Sequence, residues 1–405
     1  MKSYQSAPLF SPLSPEIRQT LDFIPSLVDE TFPLPKKFKG SLAHDIAELS
    51  LSLTAERETR RLSYLTNPRM QSAYLHYFLP WNVFRLCHLL PNLPLPLETG
   101  ATIVDLGSGP LTFAIALWAS RPDLRDRSLE FFCIDRAGGI VQSGKKLFSA
   151  LATKAGQANW RIRTVKADVF EYGFKQNTPY ERATLICAIN MFNEGLPARG
   201  SALRSAEKAV RLLKRLSGSA SAQRASCKYL VLEPGVPQYG AFIESLRYVL
   251  AMDRIFPLSP CPHHRAPCPF LPECRKWCHF TFGTEDAPET LLRLSASAGL
   301  PKERATLSFL FAGQAEPSED VSPKGRISAR ILSDAFPLPD GSKARYGCSK
   351  KGLVLVRGQG AVIEKLDSGH LCLISFTKPE RRDSKSGALF AFIKDNRQCL
   401  APSGQ

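Results

Sequence analysis

The chain has 405 residues, of which 44% are hydrophobic and 22% charged, and these values exclude a disordered chain. Two or three packed units are expected, because one hydrophobic core rarely grows beyond about 250–300 residues. The formal net charge of +16 indicates a polyanionic partner, since lysine and arginine neutralise phosphates.

The sequence contains no run of about 18 consecutive apolar residues, so no membrane span is predicted. The first 40 residues carry four acidic side chains and no apolar run, so we expect neither a secretory signal nor a transit peptide. Without such a signal, the 11 cysteines indicate a reducing compartment. We therefore expect the protein in the cytoplasm, with the mitochondrial matrix as the alternative. We also expect a monomer.

Residues 1–95 are predicted to form a helical region. Ser14 can cap a helix that begins at Pro15, because its hydroxyl can accept a hydrogen bond from a free N–H of the first turn. Apolar residues at helical spacing predict a second helix over Ala43–Leu65. The aromatic-rich stretch over 64–80 either packs against the neighbouring domain or lines a cofactor mouth.

From residue 101, short apolar runs alternate with helical stretches, which is typical of βαβ units and a parallel sheet. A Rossmann-like α/β domain is therefore predicted for 96–318, with a Cys-rich metal-binding insert at 257–282. Residues 319–405 are predicted to form a small β-rich C-terminal module. This module is basic, since the tail from 321 carries 15 Lys and Arg against 7 Asp and Glu. The predicted strands are Thr102–Leu106, Leu129–Ile134, Arg161–Val165, Ala183–Ile189 and Tyr229–Leu232.

A glycine-rich loop, Asp105-Leu106-Gly107-Ser108-Gly109-Pro110, follows the first predicted strand. Glycine lets the backbone approach a ligand where a Cβ would collide. The next two strands end at Asp135 and Asp168, where this fold places acids on a ribose and beside a base. Thr112 stands where a dinucleotide fingerprint has its third glycine, and the loop has no Walker lysine.

The loop and its acidic partners resemble motif I of class I S-adenosylmethionine-dependent methyltransferases. Another nucleotide site of the same fold, or a vestigial loop, is the alternative. The resemblance implies that the cofactor contacts Asp105, Gly107, Ser108, Gly109, Asp135, Asp168 and Asn190.

Three polar residues follow the fourth predicted strand: Asn190, Asn193 and Glu194. In that superfamily, this edge of the sheet faces the methyl group of the cofactor. The Asp/Asn-Pro-Pro-aromatic motif of amino-methylating members is absent. The Pro-Cys dipeptides, which carbon-methylating members use as a nucleophile, occur only after the fifth strand. No catalytic base or nucleophile can therefore be assigned. The three polar residues either contact the methionine part of the cofactor or the substrate, or cap the following helix.

Cys261, Cys268, Cys274 and Cys278 lie within 18 residues, among prolines and histidines. Thiolates bind soft metals, and buried free thiols are the alternative explanation of such a group. Zinc sites favour cysteines roughly two to four residues apart, and only the last two of these cysteines are that close. The longer spacings favour a loop around an iron–sulfur cluster, with zinc as the alternative.

Short sequence motifs are spread over much of the chain. They are Asn67-Pro68, Leu232-Glu233-Pro234-Gly235, Arg247, Pro260-Cys261-Pro262-His263, Cys268-Pro269, Trp277-Cys278-His279-Phe280 and Tyr346-Gly347-Cys348. They resemble the mitoribosomal small-subunit methyltransferase-like family and its bacterial relatives. The resemblance implies a class I methyltransferase fold, association with the assembling small ribosomal subunit, and a [4Fe–4S] cluster. It implies no role for Cys274. The implied cluster ligands are Cys261, Cys268, Cys278 and the distant Cys348.

Three functional hypotheses remain open. The first is an S-adenosylmethionine-binding factor that docks on small-subunit ribosomal RNA, with a basic helix at Leu203–Leu216 and the basic tail on phosphates. In this case the protein is catalytically inactive and its cluster is structural. The second is a true ribosomal RNA methyltransferase that acts on an extruded base. The third is a redox- or iron-sensing assembly checkpoint, in which cluster loss releases the C-terminal module.

Overall fold

The N-terminal part of the computed structural model is helical, as predicted. Ser14 caps the first helix, and its Oγ accepts a hydrogen bond from the N–H of Ile17 over 3.3 Å. The helices are α1 (Pro15–Thr31), α2 (Leu42–Leu53), α3 (Pro68–Ala73) and α4 (Leu79–Leu89), with a π-helical turn at Tyr74–Phe78. The structure describes residues 8–34, 40–54, 65, 67–154, 156, 160–171, 182–195, 200–217, 227–270, 276–314, 325–358 and 361–393.

The helix predicted over Ala43–Leu65 is confirmed as far as Leu53. Residues 55–64 and 66 lie outside the described residues, as do Cys274 and Cys399. Within the described ranges, no helix has the length and apolar character that crossing a membrane requires.

A mixed sheet forms the centre of the molecule, in the strand order β3-β2-β1-β4-β5-β8-β6, with β7 paired to β8. The strands β1 to β5 are parallel, whereas β8 runs antiparallel to both β5 and β6. The order reverses beside β1, which confirms the predicted Rossmann-like α/β fold. The strands are β1 (Thr102–Leu106), β2 (Glu130–Asp135), β3 (Arg161–Lys166), β4 (Leu185–Ile189), β5 (Lys228–Glu233), β6 (Phe256–Ser259), β7 (Phe280–Gly283) and β8 (Arg304–Gly313).

Helices cover both faces of this sheet. They are α5 (Thr112–Ser120), α6 (Gly138–Lys154), α7 (Phe192–Gly195), α8 (Ala202–Leu216), α9 (Pro237–Met252) and α10 (Glu289–Ser297). One face shares its core with the N-terminal helices, since Val28 and Phe84 are buried in the same cluster as Phe131 of β2. The other face packs on α8 and α9, where Leu213 and Leu246 are fully buried. Because the carboxyl ends of β1 to β5 meet at one edge, the loops that follow them surround a common crevice.

The C-terminal module is a small β-barrel. In the described part of the chain, five strands close in the circuit β9-β11-β12-β14-β13-β9. With these five counted in chain order, the circuit is 1-2-3-5-4-1, strands three and five are parallel, and a helix connects strands three and four. This is the topology of an OB-fold. The elements are β9 (Ile327–Ile331), β10 (Phe336–Pro337), β11 (Lys343–Ser349), β12 (Gly352–Gly358), α11 (Ala361–Glu364), β13 (Leu371–Phe376) and β14 (Leu389–Ile393).

Strand β12 shows how the barrel is oriented. Val354 and Val356 point inward and are fully buried in the barrel core. Leu353 and Leu355 point to the opposite face, because side chains alternate along a strand, and they belong to the core of the main domain. The outer face of strands two and three of the OB-fold is therefore packed against the main domain.

Candidate cofactor crevice and four-cysteine cavity

The glycine loop lies between the end of β1 and the start of α5. Gly107 and Gly109 have φ values of 63° and 51°, in the left-handed region that favours glycine. A Cβ on Gly107 would lie 2.3 Å from Cγ of Met191, in the segment that follows β4. The sheet edge therefore presents bare backbone at this point.

Asp135, at the end of β2, joins the glycine loop to α6. Its Oδ2 accepts a hydrogen bond from the N–H of Gly109 over 2.9 Å, and its Oδ1 accepts one from the N–H of Ala137 over 2.8 Å. Burial raises the pKa of Asp135, and these two backbone donors oppose that rise. Each carboxylate oxygen keeps a second lone pair that can accept a ligand hydroxyl.

Asp105 is buried in the middle of the sheet between two thiols. It stands in register with Cys133 of β2 and Cys187 of β4, and the Cys187 thiol donates to its Oδ1 over 3.4 Å. Its Oδ2 is buried and has no hydrogen-bond partner among the described residues. Burial raises the pKa of Asp105 to about 7, and the negative charge of Asp135 adds to that rise. Near neutral pH this carboxyl therefore exists in both protonation states.

Asn190, directly after β4, is held in the left-handed conformation with φ of 55°. Its Nδ2 donates to Oδ1 of Asn82 on α4 over 3.3 Å, and Asn82 also accepts a hydrogen bond from Arg85. The Oδ1 of Asn190 is buried without a partner in the part of the chain that is described. A side chain other than glycine keeps this conformation only where its surroundings enforce it, which is common at functional sites.

Glu233, at the end of β5, fixes the segment after β4. It is fully buried, and its two carboxylate oxygens accept hydrogen bonds from the N–H groups of Phe192 over 2.9 Å and Asn193 over 3.1 Å. The start of α7 is thus capped by Glu233, from a distant part of the sequence.

These residues surround one crevice at the carboxyl edge of the sheet. Of the residues that the sequence singled out, Gly107, Gly109, Asp135, Asp168, Asn190 and Glu194 line it. Asp105 and Ser108 lie buried behind the glycine loop, and the Ser108 hydroxyl has no hydrogen-bond partner within the described ranges. Leu65 and Tyr74 also line the crevice, so the aromatic-rich stretch forms part of its wall. Tyr77 of the same stretch is buried in the core shared with the main domain, and its hydroxyl donates to the carbonyl of Leu300 over 3.4 Å, so the stretch also packs against that domain.

A wider groove continues from the crevice and shares Arg136, Asp168, Phe170, Glu194 and Gly195 with it. Its outer side is basic, because Lys208, Arg211 and Arg215 of α8 line it. Two of its three carboxylates, Asp168 and Glu194, lie at the end shared with the crevice. The basic side chains of α8, the helix predicted to be basic, therefore line a groove that opens into the crevice.

Four of the cysteines singled out by the sequence line a second cavity. Cys261 and Cys268 lie between β6 and β7, Cys278 precedes β7, and Cys348 lies on β11 of the barrel. The Sγ of Cys348 is 3.4 Å from Nε2 of His263. Within the described residues, no three His, Cys, Asp or Glu side chains stand in the arrangement of a ready metal site. The ligand set therefore stays a prediction.

The cavity disfavours charge on free thiols. Burial raises the pKa of Cys268 to about 12 and raises the pKa values of Cys278 and Cys348 far above the ordinary value. The neighbouring cysteines raise these pKa values further. Burial, together with the charge of Arg247, lowers the pKa of His263 to about 4. A bound metal would lower the pKa values of these cysteines instead, since a coordinating thiol loses its proton.

Two residues that position the wall of the crevice were missed by reasoning from the sequence. Asn82 and Glu233 act through hydrogen bonds to the segment after β4, and residues so far apart in the chain show no pattern that would pair them. The sequence feature that could have indicated Glu233 is its position, as a single acidic residue at the carboxyl end of a buried strand.

A sequence model of a family described as mitochondrial small ribosomal subunit Rsm22 matches residues 95–335. The match spans the sheet, the segment that carries Cys261 to Cys278, and the first strand of the barrel. A comparison with curated proteins found no match.

Solved structures that resemble the chain are S-adenosylmethionine-dependent methyltransferases. One is an arsenic(III) methyltransferase from Chlamydomonas reinhardtii, with 12% identity, a TM-score of 0.31, and coverage of 62% of this chain and 78% of that one. Another is the CMeT domain of the citrinin polyketide synthase, with 12% identity, a TM-score of 0.33, and coverage of 78% and 84%. These scores are low, so the fold assignment depends on the strand order.

Proposed function

Because the chain belongs to the Rsm22 family of the mitochondrial small ribosomal subunit, we propose that it is an S-adenosylmethionine-binding, methyltransferase-like protein that works with the small ribosomal subunit. The family description supports the ribosomal association. It also favours the mitochondrial matrix over the cytoplasm as the place of action. The cofactor proposal depends on the crevice.

The observation that carries the cofactor proposal is the joint between the glycine loop and Asp135. The N–H of Gly109 already occupies one lone pair of this carboxylate, so loop and acid are fixed relative to each other before a ligand binds. Asp135 can then accept the hydroxyls of a ribose, and the segment Ala167–Phe170 borders the place of the base. Preorganised polar groups of this kind reduce the ordering cost of binding.

Unsatisfied polar atoms around the crevice test the fit of this cofactor. Asp105 Oδ2, Ser108 Oγ and Asn190 Oδ1 are buried and without partners in the described part of the chain. Leaving a buried polar group unpaired costs about 1–3 kcal/mol, so a polar ligand at this edge would be stabilised. The methionine part of S-adenosylmethionine carries an ammonium group and a carboxylate, and Asp105 offers negative charge to the former. When bound, the cofactor supplies an electrophilic methyl group.

Methyl transfer to ribosomal RNA is the second candidate function. Glu194 favours it, because this carboxylate lies where the basic groove meets the crevice. A carboxylate at that junction could accept a proton from the methyl acceptor. No other base is assigned, so binding is proposed as the primary function and catalysis as its extension.

RNA association is supported by charge. The net charge is +16, and the groove places Lys208, Arg211 and Arg215 beside the crevice. Phosphate contacts of this type position an RNA without reading its sequence. Raising the salt concentration should therefore weaken binding steeply.

The four-cysteine cavity is proposed to hold a [4Fe–4S] cluster, with zinc as the alternative. Its donor set fits such a group, since four thiols from two domains line one cavity. A buried donor supports this fit. The Nε of Arg247 has no hydrogen-bond partner among the described residues, and thiolates at Cys261, Cys268 and Cys348 would raise the pKa of this arginine. Cys261, Cys268, Cys278 and Cys348 would hold the metal, which would tie the barrel to the main domain.

The cofactor proposal is tested by equilibrium binding of S-adenosylmethionine to the full chain and to Gly107→Ala. The added Cβ would overlap Met191, so we expect saturable binding by the wild type and at least tenfold weaker binding by the variant. Gly139→Ala is the matched control, because a Cβ there meets open space. Absence of saturable binding by the wild type would refute the proposal. Transfer of a labelled methyl group to immature small subunits then separates catalysis from binding.

A further inference from the structure

Two arginines are buried at the four-cysteine cavity, and neither has a carboxylate partner among the described residues. Arg247 of α9 is 6% exposed and Arg330 of β9 is 5% exposed, and both line the cavity. Neither forms an ion pair with a carboxylate in the described part of the chain, although their guanidinium groups carry permanent charge. The groups that accept hydrogen bonds from them among the described residues are neutral. Arg247 donates to the carbonyl of Ala266 over 2.7 Å, and Arg330 donates to the carbonyl of Pro260 over 2.9 Å.

A buried charge is costly unless an opposite charge lies near it. Carbonyl oxygens accept hydrogen bonds from both guanidinium groups. Within the described residues, they leave the positive charge of the two arginines uncompensated. The sulfur atoms of Cys261 and Cys348 belong to groups that line the same cavity as both arginines. Neutral thiols could not balance these charges, whereas metal-bound thiolates could.

We infer that Arg247 and Arg330 are the counter-charges of a metal–thiolate centre held by the four cysteines, an inference that rests on the metal site of the proposed function. Four thiolates around a zinc ion, or around the core of an oxidised [4Fe–4S] cluster, leave a net charge of about −2. Two guanidinium groups neutralise that charge inside the protein. The arginines therefore select for an anionic centre at this position.

His263 extends the arrangement from Arg247 to Cys348. Its Nδ1 lies 3.3 Å from Nη2 of Arg247, and guanidinium nitrogens can only donate, so Nδ1 is the acceptor. The ring proton of the neutral histidine is consequently on Nε2, which is 3.4 Å from Sγ of Cys348. This N–H is aimed at the sulfur and would stabilise it as a thiolate. Arg247 thus sets the tautomer of His263.

Arg330 gives the barrel a second role in the site. Strand β11 supplies Cys348, and strand β9 supplies Arg330, whose Nε reaches the carbonyl of Pro260 beside Cys261. The barrel therefore contributes both a ligand and a counter-charge. Metal binding and docking of the barrel stabilise each other as a consequence.

The test compares Arg247→Gln, Arg330→Gln and Arg345→Gln with the wild type, all purified without oxygen. Arg345 is the control for loss of a buried barrel arginine, because it is 5% exposed and donates to the carbonyls of Ile363 and Ser333 outside the cavity. Unlike the two cavity arginines, it has a carboxylate within 4.0 Å, that of Asp334. Iron and zinc per chain are measured after dialysis against a chelator. Circular dichroism establishes that each variant is folded. For iron-loaded protein, the reduction potential is followed by visible absorbance.

We expect Arg247→Gln and Arg330→Gln to hold metal at least tenfold more weakly than the wild type, in the range seen when groups that support metal ligands are lost. Their reduction potentials should be more negative, because loss of positive charge disfavours the added electron. Arg345→Gln should keep both properties. The inference is overturned if the two cavity variants retain metal and potential, or if Arg345→Gln loses metal equally. A wild type without metal would instead overturn the proposed metal site itself.

A second inference comes independently from the barrel topology. OB-folds bind oligonucleotides on the face of strands two and three and on the loops that flank it. That face is covered here, since Leu353 and Leu355 pack into the main domain. The connection between strands four and five, residues 377–388, is exposed for most of its length and lies beside the turn between strands two and three. Lys351 of that turn joins the two, because its Nζ lies 4.7 Å from the ring centroid of Phe376 and pairs with Glu380.

This end of the barrel is strongly basic. Its acidic residues are Glu380 and Asp383. Its exposed cations are Lys350, Lys351, Lys378, Arg381, Arg382 and Lys385. We propose that this end of the barrel binds the backbone of single-stranded RNA. It stays accessible although the face of strands two and three is covered by the main domain. Positive loops beside a partly buried aromatic ring, here Phe376, fit a surface that follows the backbone of a single strand.

Fluorescence anisotropy with a uridine 20-mer tests this surface. Arg381→Gln/Lys385→Gln removes two exposed charges, and Lys145→Gln/Lys146→Gln removes two exposed charges from α6 as a control. The slope of log affinity against log salt should become shallower by about 1.4 in the first variant, as for two lost phosphate contacts with a single strand. It should stay unchanged in the control. The proposal would be contradicted if the two variants had the same salt slope. It would also be contradicted if the wild type bound a duplex of the same length as tightly as the uridine 20-mer.

Discussion

The backbone N–H of Gly109 donates a hydrogen bond to Oδ2 of Asp135 over 2.9 Å, although the two residues are 26 positions apart. This contact joins the loops after β1 and β2 across the mouth of the crevice. It makes Asp135 both a candidate ligand for a ribose and a support for the glycine loop.

Asp135→Ala should weaken S-adenosylmethionine binding by about 10- to 150-fold, the equivalent of losing a charge-assisted hydrogen bond of about 1.5–3 kcal/mol. Isothermal titration calorimetry measures the change. Asp123→Ala is the control, because Asp123 is 50% exposed and pairs with Arg121 on the surface. Unchanged affinity in Asp135→Ala would remove Asp135 from the site.

Cofactor affinity should fall as the pH drops through about 7, because the pKa of Asp105 is about 7 and its protonated form cannot attract the ammonium group of the cofactor. Asp105→Asn should bind weakly and without this pH dependence. Binding measured between pH 5.5 and 8.5 checks both outcomes. A wild-type affinity that is flat across this range would show that Asp105 does not face the cofactor.

The same carboxyl predicts how the stability of the cofactor-free protein depends on pH. The pKa of Asp105 is about 7 in the folded state, above its ordinary value of 3.8, so the folded state holds this proton more tightly than the unfolded state. Its contribution to stability is present at low pH and is lost as the pH rises from about 4 to about 7. Urea unfolding between pH 4 and pH 8 should show a smaller loss of stability in Asp105→Asn than in the wild type, because the buried Glu244, whose pKa is also raised to about 7, contributes equally to both proteins.

Glu233→Ala should destabilise the protein by about 1–3 kcal/mol, because two buried N–H groups lose their acceptor. The segment from Asn190 to Asn193 would also lose its anchor, so cofactor affinity should fall although Glu233 does not line the crevice in the described structure. Urea unfolding and calorimetry measure the two effects. Glu289→Ala, at a side chain that is 78% exposed, should change neither. A destabilised variant with full affinity would assign Glu233 to folding alone.

Cys348→Ser should lose the bound metal and release the barrel from the main domain. Cys372→Ser is the matched control, since Cys372 is buried in the same barrel and lies in its core. Metal analysis and limited proteolysis of the two variants provide the readouts. Retention of metal by Cys348→Ser would exclude Cys348 from the ligand set.

Arg211→Gln should reduce the salt dependence of RNA binding, whereas Arg204→Gln should leave it unchanged. Both residues are exposed on α8, but Arg211 lines the groove and Arg204 is absent from its described lining. The expected change in the salt slope is about 0.7 for one contact with a single strand. Identical slopes for the two variants would show that the groove does not hold the phosphates.

The strands and the glycine loop could be predicted because they depend on local rules. β1 spans Thr102–Leu106 as predicted, since a short apolar run before a glycine turn can hardly form another element. The ends of β2 and β3 fixed the positions of Asp135 and Asp168 in the same way, through the common carboxyl edge of parallel strands. The first helix followed from the cap at Ser14.

Closure of the barrel could not be predicted from the sequence, because β12 pairs with β14 in parallel and β9 pairs with both β11 and β13. Such partners are chosen by packing over long sequence distances. The cap that Glu233 gives α7 has the same origin.

The sequence by itself therefore determined the Rossmann-like order of elements, the glycine loop and the group of cysteines, since each follows from residue type and spacing within a short stretch. Only the tertiary structure decided that Cys348 meets His263, that Arg247 and Arg330 are buried beside the thiols, and that the barrel turns its strand face inward. Burial and electrostatics depend on which distant segments share a space, and that choice is made when the whole core packs.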